Sequence, residues 1–304
     1  MEDKKVVVLM STYNGEKYIE EQLDSIISQT YNNIEILIRD DGSKDSTVEI
    51  VQKYINSNKN IVLIKGENIG FINSFFELIK KADNNADYFA YCDQDDIWME
   101  DKIKRAVSFM ENSDSNKPVL YFSNSDYYDS DMNFLKTAEK NKIYSFRNSL
   151  VECVTQGMTM VINKQTKELI AKDRPQNCLY HDWWTYMICS GFGEIIYDEK
   201  SLVKYRRHNK SVTVEGKSSL QLLIWRIKEF FIGKSLNKIK KQWIDYKTFY
   251  YEYLNEENKK LLNLFTIERY NFFVALKKVF YPKRFRRKLI DELSVRLLFL
   301  LGKL

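Results

Sequence analysis

The chain has no apolar run long enough to cross a bilayer: the longest, such as Leu297 to Leu301, hold five residues, where a spanning helix needs about 20. Only 10 glycines and 3 prolines occur in 304 residues, which excludes collagen-like and low-complexity architectures. The 4 cysteines, Cys92, Cys153, Cys178 and Cys189, stand singly without C-x-x-C spacing. Neither a zinc site nor a disulfide framework is therefore expected, and a reducing compartment fits. No G-x-G-x-x-G and no G-x-x-x-x-G-K-[ST] occurs, which removes the dinucleotide fingerprint and the P-loop. The first residues pass straight from charged side chains into Val6 to Met10. That run is too short for a signal peptide and lacks a small-residue cleavage site, so a cytoplasmic location is expected.

What is present is enough for a substantial core. Apolar side chains make up 44% and aromatics 14%, which excludes intrinsic disorder and suits one large domain or two modest ones. Charge divides the chain more sharply than its net value of +5 suggests. Residues 1–215 carry 27 Lys/Arg against 34 Asp/Glu, and residues 216–304 carry 20 against 8. An acidic body followed by a basic region points to a tail that faces a polyanion or a membrane.

The first hundred residues alternate two hydrophobic periods. Val6 to Met10, Ile34 to Ile38, Ile61 to Ile64 and Tyr88 to Cys92 read as short strands buried on both faces. Between them, Ile19, Leu23, Ile26 and Ile27 share a helical face, and Ser46-x-x-Glu49 reads as a capping box opening a second helix. Phe71 to Lys81 reads as a third. This repetition predicts an α/β fold, a mostly parallel sheet flanked by helices, with a ligand crevice at the carboxyl ends of the strands. Further on, Pro118 to Phe122, Met158 to Ile162, Glu194 to Tyr197 and Leu202 to Tyr205 are strand candidates. Leu220 to Phe231, Trp243 to Tyr253 and Leu289 to Leu301 are the apolar segments of a helical C-terminal region.

Polar clusters fall where the crevice is expected. Asp93, Asp95 and Asp96 repel one another unless a positive charge sits among them, and a hard divalent cation with oxygen ligands is the usual solution. On residues alone, the Asp40/Asp41 pair before Gly42 is equally a turn. Six stretches in order, Leu9-Met10-Ser11-Thr12-Tyr13-Asn14-Gly15, Ile38-Arg39-Asp40-Asp41-Gly42-Ser43, Glu67-Asn68-Ile69-Gly70, Asp93-Gln94-Asp95-Asp96-x-Trp98, His181-Asp182-Trp183-Trp184 and Tyr205-Arg206-Arg207-His208, resemble family 2 glycosyltransferases of the GT-A fold. The Asp-Gln-Asp-Asp-x-Trp form and the Arg-Arg-Lys-Leu-Ile-Asp-Glu-Leu tail are similar to the bacterial rhamnosyltransferase branch.

The resemblance implies a GT-A catalytic domain over 1–215, with a nucleotide-binding part at about 1–112 and an acceptor-binding part at about 113–215, and a basic helical extension over 216–304. It implies that Thr12, Tyr13 and Asn14 line the nucleotide pocket and that Asp40 accepts the imide N–H of a uracil or thymine. Asp93-Gln94-Asp95 would then be the D-x-D motif, with Asp93 toward the ribose and Asp95 holding Mg²⁺ or Mn²⁺. Asp96 is expected to cap the following helix. By the same resemblance Gln156 and Gly157 border the donor sugar, Arg206 and Arg207 contact the diphosphate, and His208 completes the metal site. Asp182 is the expected catalytic base, because displacement at an anomeric carbon needs one carboxylate to take the acceptor's proton. Trp183 and Trp184 read as core, with sugar stacking the alternative.

The activity implied is inverting, metal-dependent transfer of L-rhamnose from dTDP-β-L-rhamnose, or of a hexose or N-acetylhexosamine from a UDP-sugar, to a lipid-linked or polysaccharide acceptor. A receiver-like signalling domain would need a Lys at a later strand end in place of Asp93-Gln94-Asp95-Asp96. The basic tail lacks a nucleic-acid recognition motif, so no nucleic-acid partner is expected. Lys283, Arg284, Arg286, Arg287 and Lys288 precede Leu289, Ile290, Leu293, Leu297, Leu300 and Leu301, which can share one helical face. That pattern predicts peripheral contact with an anionic membrane. A homodimer is compatible with the sequence.

Overall fold

A computed structural model describes residues 4–140, 143–208, 234–267 and 269–304. The chain gathers into two compact units: Met1–Lys140, Thr155–Arg174 and Gly193–Arg207 form the first, and Asn141–Val154, Pro175–Phe192 and His208–Leu304 the second.

The first unit is built on a sheet containing the nine strands among the described residues, β1 (Val6–Thr12), β2 (Ile34–Asp40), β3 (Ile61–Lys65), β4 (Tyr88–Cys92), β5 (Ile97–Trp98), β6 (Val119–Tyr128), β7 (Phe134–Thr137), β8 (Met160–Asn163) and β9 (Glu194–Arg206). Their order is β3-β2-β1-β4-β8-β6-β9-β5, with β7 pairing β6. The first four strands are parallel, as the alternation of strand and helix patterns predicts. Their crossovers are the helices α1 (Ile19–Ile27), α2 (Thr47–Ser57) and α3 (Phe71–Lys81). Val6, Val8, Met10, Ile36, Ile38, Leu23 and Ala90 lie in one buried cluster, which fixes register because a one-residue slip would turn each strand residue to the opposite face. In this register Thr12 stands opposite Asp40 and Met10 opposite Cys92, so the β1, β2 and β4 exits lie side by side.

Three local expectations are corrected. Ser46 occupies the N-cap position of α2 but makes no side-chain cap bond. Asp45 accepts the Thr47 N–H instead, and the Ser46 N–H goes to Glu16, so the capping box does not form. The segments Glu194 to Tyr197 and Leu202 to Tyr205 belong to one 13-residue strand, β9, whose pairing with β6 shifts register opposite Asn124. Asp198 in that irregular stretch takes a bidentate pair from Arg105, at 2.8 and 3.1 Å, and the Tyr121 hydroxyl at 2.8 Å. Residues 157–159 form a 3₁₀ turn before β8 rather than its first residues.

The second unit is helical. It comprises α5 (Phe146–Ser149), α7 (His181–Phe192), α8 (Lys234–Tyr250), α9 (Glu256–Phe265), α10 (Phe272–Val279) and α11 (Leu289–Leu300); α4 (Lys102–Met110) and α6 (Lys164–Lys172) belong to the first unit. Trp184 packs edge-on to Tyr246, and Trp243 edge-on to Phe265. The two indoles Trp183 and Trp243 donate to the carbonyls of Ser149 and Leu150 at 2.6 and 2.7 Å. Segments from before residue 215 thus share a core with the C-terminal helices. The expected helix over Leu220 to Phe231 lies outside the described residues. No described helix is long and apolar enough to cross a membrane.

Candidate active site

At the β1 exit, Asn14 adopts a positive φ of 47°, which Asn tolerates better than most residues, and turns the chain back so that its N–H reaches the Ser43 hydroxyl at 2.9 Å. Its side-chain oxygen accepts the Lys44 N–H at 2.8 Å. Next to it, the Gln94 amide clamps the Tyr13 backbone from both sides, accepting its N–H at 2.9 Å and donating to its carbonyl at 3.1 Å. Gly15 is needed for this clamp, since a Cβ there would stand 2.3 Å from Gln94 Oε1. The Tyr13 ring is left exposed beside it.

Asp40 is buried at the end of β2. Its carboxylate accepts the Thr12 hydroxyl at 3.0 Å, the Gly42 and Ser43 N–H groups at 3.1 and 2.8 Å, and the Ser43 hydroxyl at 2.5 Å. Those four donors fill the acceptor positions of one carboxylate, so taking a base N–H here requires the Ser43 hydroxyl to swing away. Asp41, also buried, pairs with Arg39 and accepts the Ile69 and Gly70 N–H groups at 2.9 Å each. It ties the Glu67-Asn68-Ile69-Gly70 turn to the same rim.

Asp93, Gln94 and Asp95 form a half-buried turn leaving β4. Asp96 is fully buried and does not cap the next helix; Asp101 stands at the N-cap position of α4. One Asp96 oxygen accepts the Arg206 N–H at 3.0 Å, and the other has no hydrogen-bond partner among the described residues. Burial, reinforced by the charges of Asp95 and Asp93, pushes its carboxyl well above the usual range. Behind it Lys102 is also fully buried, its ammonium 3.6 Å from the centre of the Trp98 ring and without a hydrogen-bond partner among the described residues. Burial lowers this lysine to about 7, against the opposing pull of Cys92 and Asp96. A buried Lys102 has no strong local signal, because lysine next to an apolar helical stripe is ordinarily solvated.

Arg206 is buried with its donors engaged inside the protein: Nε donates to the Asp95 carbonyl at 2.9 Å, Nη1 to the Ser130 carbonyl at 3.0 Å, and Nη2 pairs with Glu21. Arg207 is half-buried, donating its N–H to the Tyr128 carbonyl and lying over the Tyr205 ring. Gln156 bridges two residues of β6, accepting the Ser125 hydroxyl at 2.7 Å and donating to the Tyr127 hydroxyl at 3.0 Å, and Gly157 opens the 3₁₀ turn beside it.

Asp182 and His208 are grouped with the second unit. Asp182 is half-buried in the first turn of α7, its carboxylate accepting the Trp183 N–H at 2.7 Å. The neighbouring His181 is buried, which lowers its imidazole to about 3 and keeps it neutral. Trp183 and Trp184 are core, as the residue-level reading favours. His208 is half-buried just after β9.

Among the described residues no three His, Cys, Asp or Glu side chains gather into a metal cluster. The Asp93 and Asp95 carboxylates nevertheless suit Mg²⁺ or Mn²⁺ chemically. They are hard oxygen donors in a partly open turn, and such ions take one or two carboxylates and complete their shell with substrate phosphates and water.

The family model for glycosyl transferase family 2 matches residues 7–165, the stretch carrying the β1, β2 and β4 exits. The chain belongs to that family. Over 215 residues this glycosyltransferase is 36% identical to the dTDP-rhamnosyl transferase RfbG of Shigella flexneri, covering 66% of this chain and 72% of that one. Among solved structures it is similar to TarS (residues 1–349) of S. aureus, with a TM-score of 0.58, 17% identity and coverage of 98% and 80%; TarS has also been solved with UDP-GlcNAc. The mannosyltransferase PcManGT of Pyrobaculum calidifontis, solved with GDP-Man and Mn²⁺, matches with a TM-score of 0.52 at 15% identity, covering 99% and 86%. The fold is GT-A, and the protein is a nucleotide-sugar-dependent glycosyltransferase.

Proposed function

We propose that this transferase moves L-rhamnose from dTDP-β-L-rhamnose, with inversion, onto a lipid-linked or polysaccharide acceptor. The observation that carries the donor is the 36% identity to a dTDP-rhamnosyl transferase over 215 residues. In this reading Thr12, Tyr13 and Asn14 line the nucleoside pocket, with Asp40 holding its floor and the acceptor for a base N–H. Asp93 faces the ribose. Gln94 keeps the β1 and β4 exits together, and Gln156 and Gly157 border the sugar. Arg207 meets the diphosphate, while Arg206 acts through the acidic turn it fastens.

Asp95, with His208, would hold Mg²⁺ or Mn²⁺, which when bound would offset the negative charge that builds on the departing diphosphate. Asp182 takes the proton of the acceptor hydroxyl as that oxygen attacks the anomeric carbon from the face opposite the leaving group. A donor of β configuration then yields an α-L-rhamnoside. Nucleotide diphosphate release measured with dTDP-L-rhamnose, UDP-glucose and UDP-GlcNAc tests the donor. Turnover with dTDP-L-rhamnose alone supports the reading; turnover confined to a UDP-sugar replaces it with the hexose alternative.

The same reading places the enzyme on an anionic membrane surface. Leu289, Ile290, Leu293, Leu297, Leu300 and Leu301 are each between 37% and 62% exposed, while α11 buries Glu292, Val295 and Phe299. Phe272, Phe273 and Phe280 add exposed aromatic surface. An apolar helical face beside basic residues favours insertion between anionic headgroups. The basic run contributes less than its five charges, because Arg286 and Arg287 lie 3.9 and 3.3 Å from Glu152 and Lys283 lies 3.5 Å from Glu257. Sedimentation with anionic vesicles at low salt is the expected outcome; a dimer that stays in the supernatant would assign this face to a second copy.

A further inference from the structure

The second unit contains a cleft lined by none of the residues assigned above to sugar transfer. Its wall is apolar, with Ile244, Phe265 and Phe299, yet Lys240, Lys278 and Arg269 also line it; no Asp or Glu does so among the described residues, and Leu304, which bears the terminal carboxylate, is the one lining residue with a negative group. Lys278 is only 7% exposed. Its ammonium lies 4.9 and 5.5 Å from the ring centres of Phe265 and Phe299, and it forms no ion pair among the described residues. Lys240 donates to the Gly302 carbonyl at 3.1 Å and is likewise without an acidic partner among the described residues.

Burying an ammonium without a counter-charge is costly, and placing a second one near it adds repulsion. Burial lowers Lys278 to about 8, with Lys240 contributing, and burial also lowers Lys240. Three cationic side chains stand in the lining against the single terminal carboxylate of Leu304, so the cleft carries excess positive charge beside an aromatic wall. The wall itself favours an anion attached to something apolar.

We propose that this cleft binds a phosphate group carried on an apolar chain, with Lys278 and Lys240 as the phosphate contacts and Phe265, Phe299 and Ile244 against the chain. The inference deepens the reading of an enzyme working on lipid-linked acceptors. Two sources share the chemistry, the headgroup of a membrane phospholipid and the phosphate of a polyprenyl carrier.

Calorimetric titration of the full chain with dodecyl phosphate below its micelle concentration tests the cleft without reference to sugar transfer. The expected result is saturable binding, with inorganic phosphate weaker by at least about tenfold because it lacks the apolar chain, and dodecyl maltoside without effect because it lacks the charge. Lys278→Met should lose about tenfold in affinity and Lys278→Arg should keep most of it. Lys278→Met should also melt no lower than the parent, because it removes an uncompensated charge, whereas a merely structural lysine would lower the melting temperature. Should Lys278→Met fail to fold, Lys240→Met carries the same affinity test. Vesicles containing about 10 mol % phosphatidic acid or polyprenyl phosphate then distinguish the sources, and loss of either interaction in the variant supports the site. Unchanged affinity in the folded lysine variants, or equal binding of dodecyl maltoside, overturns it. Failure of the donor screen would leave these results intact, and failure here would leave the donor reading intact.

Discussion

The backbone N–H of Arg206, at the end of β9, donates to the buried carboxylate of Asp96 at 3.0 Å, and the same residue's Nε donates to the Asp95 carbonyl at 2.9 Å. The last strand residue before His208 therefore fastens the turn that carries Asp93, Gln94 and Asp95. Arg206→Met should cost about 2 kcal/mol of stability, the scale for stranding a buried acceptor and an ion-pair partner, and should raise the donor KM. Arg206→Lys should not restore it, because an ammonium cannot serve three separated acceptors in one plane. Arg207→Met should weaken donor binding with the melting temperature nearly unchanged. Chemical denaturation beside donor titration separates the two arginines, and equal melting temperatures for both variants would contradict the assignment.

Gly15→Ala should act at a distance through Gln94. The added Cβ would stand 2.3 Å from Gln94 Oε1, forcing the amide off the Tyr13 backbone. We expect weaker nucleotide binding and a stability loss of only about 1 kcal/mol, the scale for hydrogen bonds lost at a partly open site, because the displaced amide is the end of a flexible side chain. Gln94→Ala, which removes the obstacle, should make the second substitution nearly neutral in a double-mutant cycle. Full additivity would mean that the clamp does not form in solution.

The parallel half of the sheet was legible because its evidence is local. Val6 to Met10 and Tyr88 to Cys92 are five-residue apolar runs between turn residues, and each falls in a strand. What sequence could not show depends on distant partners. Arg206 and Arg207 look equivalent side by side, yet strand alternation sends one inward to Asp95 and leaves the other half-buried. Asp96 reads as a helix cap from its neighbours alone, and is buried because β5 pairs with β9 directly after it. The β5 and β7 strands are two and four residues long, too short for any period to register.

His181 supplies a pH dependence. Its imidazole is lowered by burial to about 3 from an ordinary 6.5, so the folded state keeps it neutral while the unfolded chain protonates. The stability it contributes is present above pH 6.5 and is lost as pH falls toward 3. Between pH 6.5 and 5 the folded protein should lose about 2 kcal/mol that a His181→Asn variant does not lose. Urea denaturation at the two pH values measures it, and identical losses in both proteins would show that His181 titrates normally.

Chelation and loss of the base should affect different parameters. Excess EDTA or Asp95→Ala should abolish nucleotide diphosphate release while the far-ultraviolet circular dichroism is unchanged. Asp182→Asn should lower kcat by roughly a hundredfold, the scale for losing a general base, with donor affinity preserved. Substantial turnover in EDTA would remove the cation from the account, and equal loss of donor binding in Asp182→Asn would make Asp182 structural.

The anomeric configuration of the product tests inverting transfer of L-rhamnose most directly. With dTDP-β-L-rhamnose and a lipid-linked acceptor, nuclear magnetic resonance of the purified product should show an α-L-rhamnoside, its anomeric carbon inverted by a single displacement. A β-L-rhamnoside formed from the same donor would contradict it.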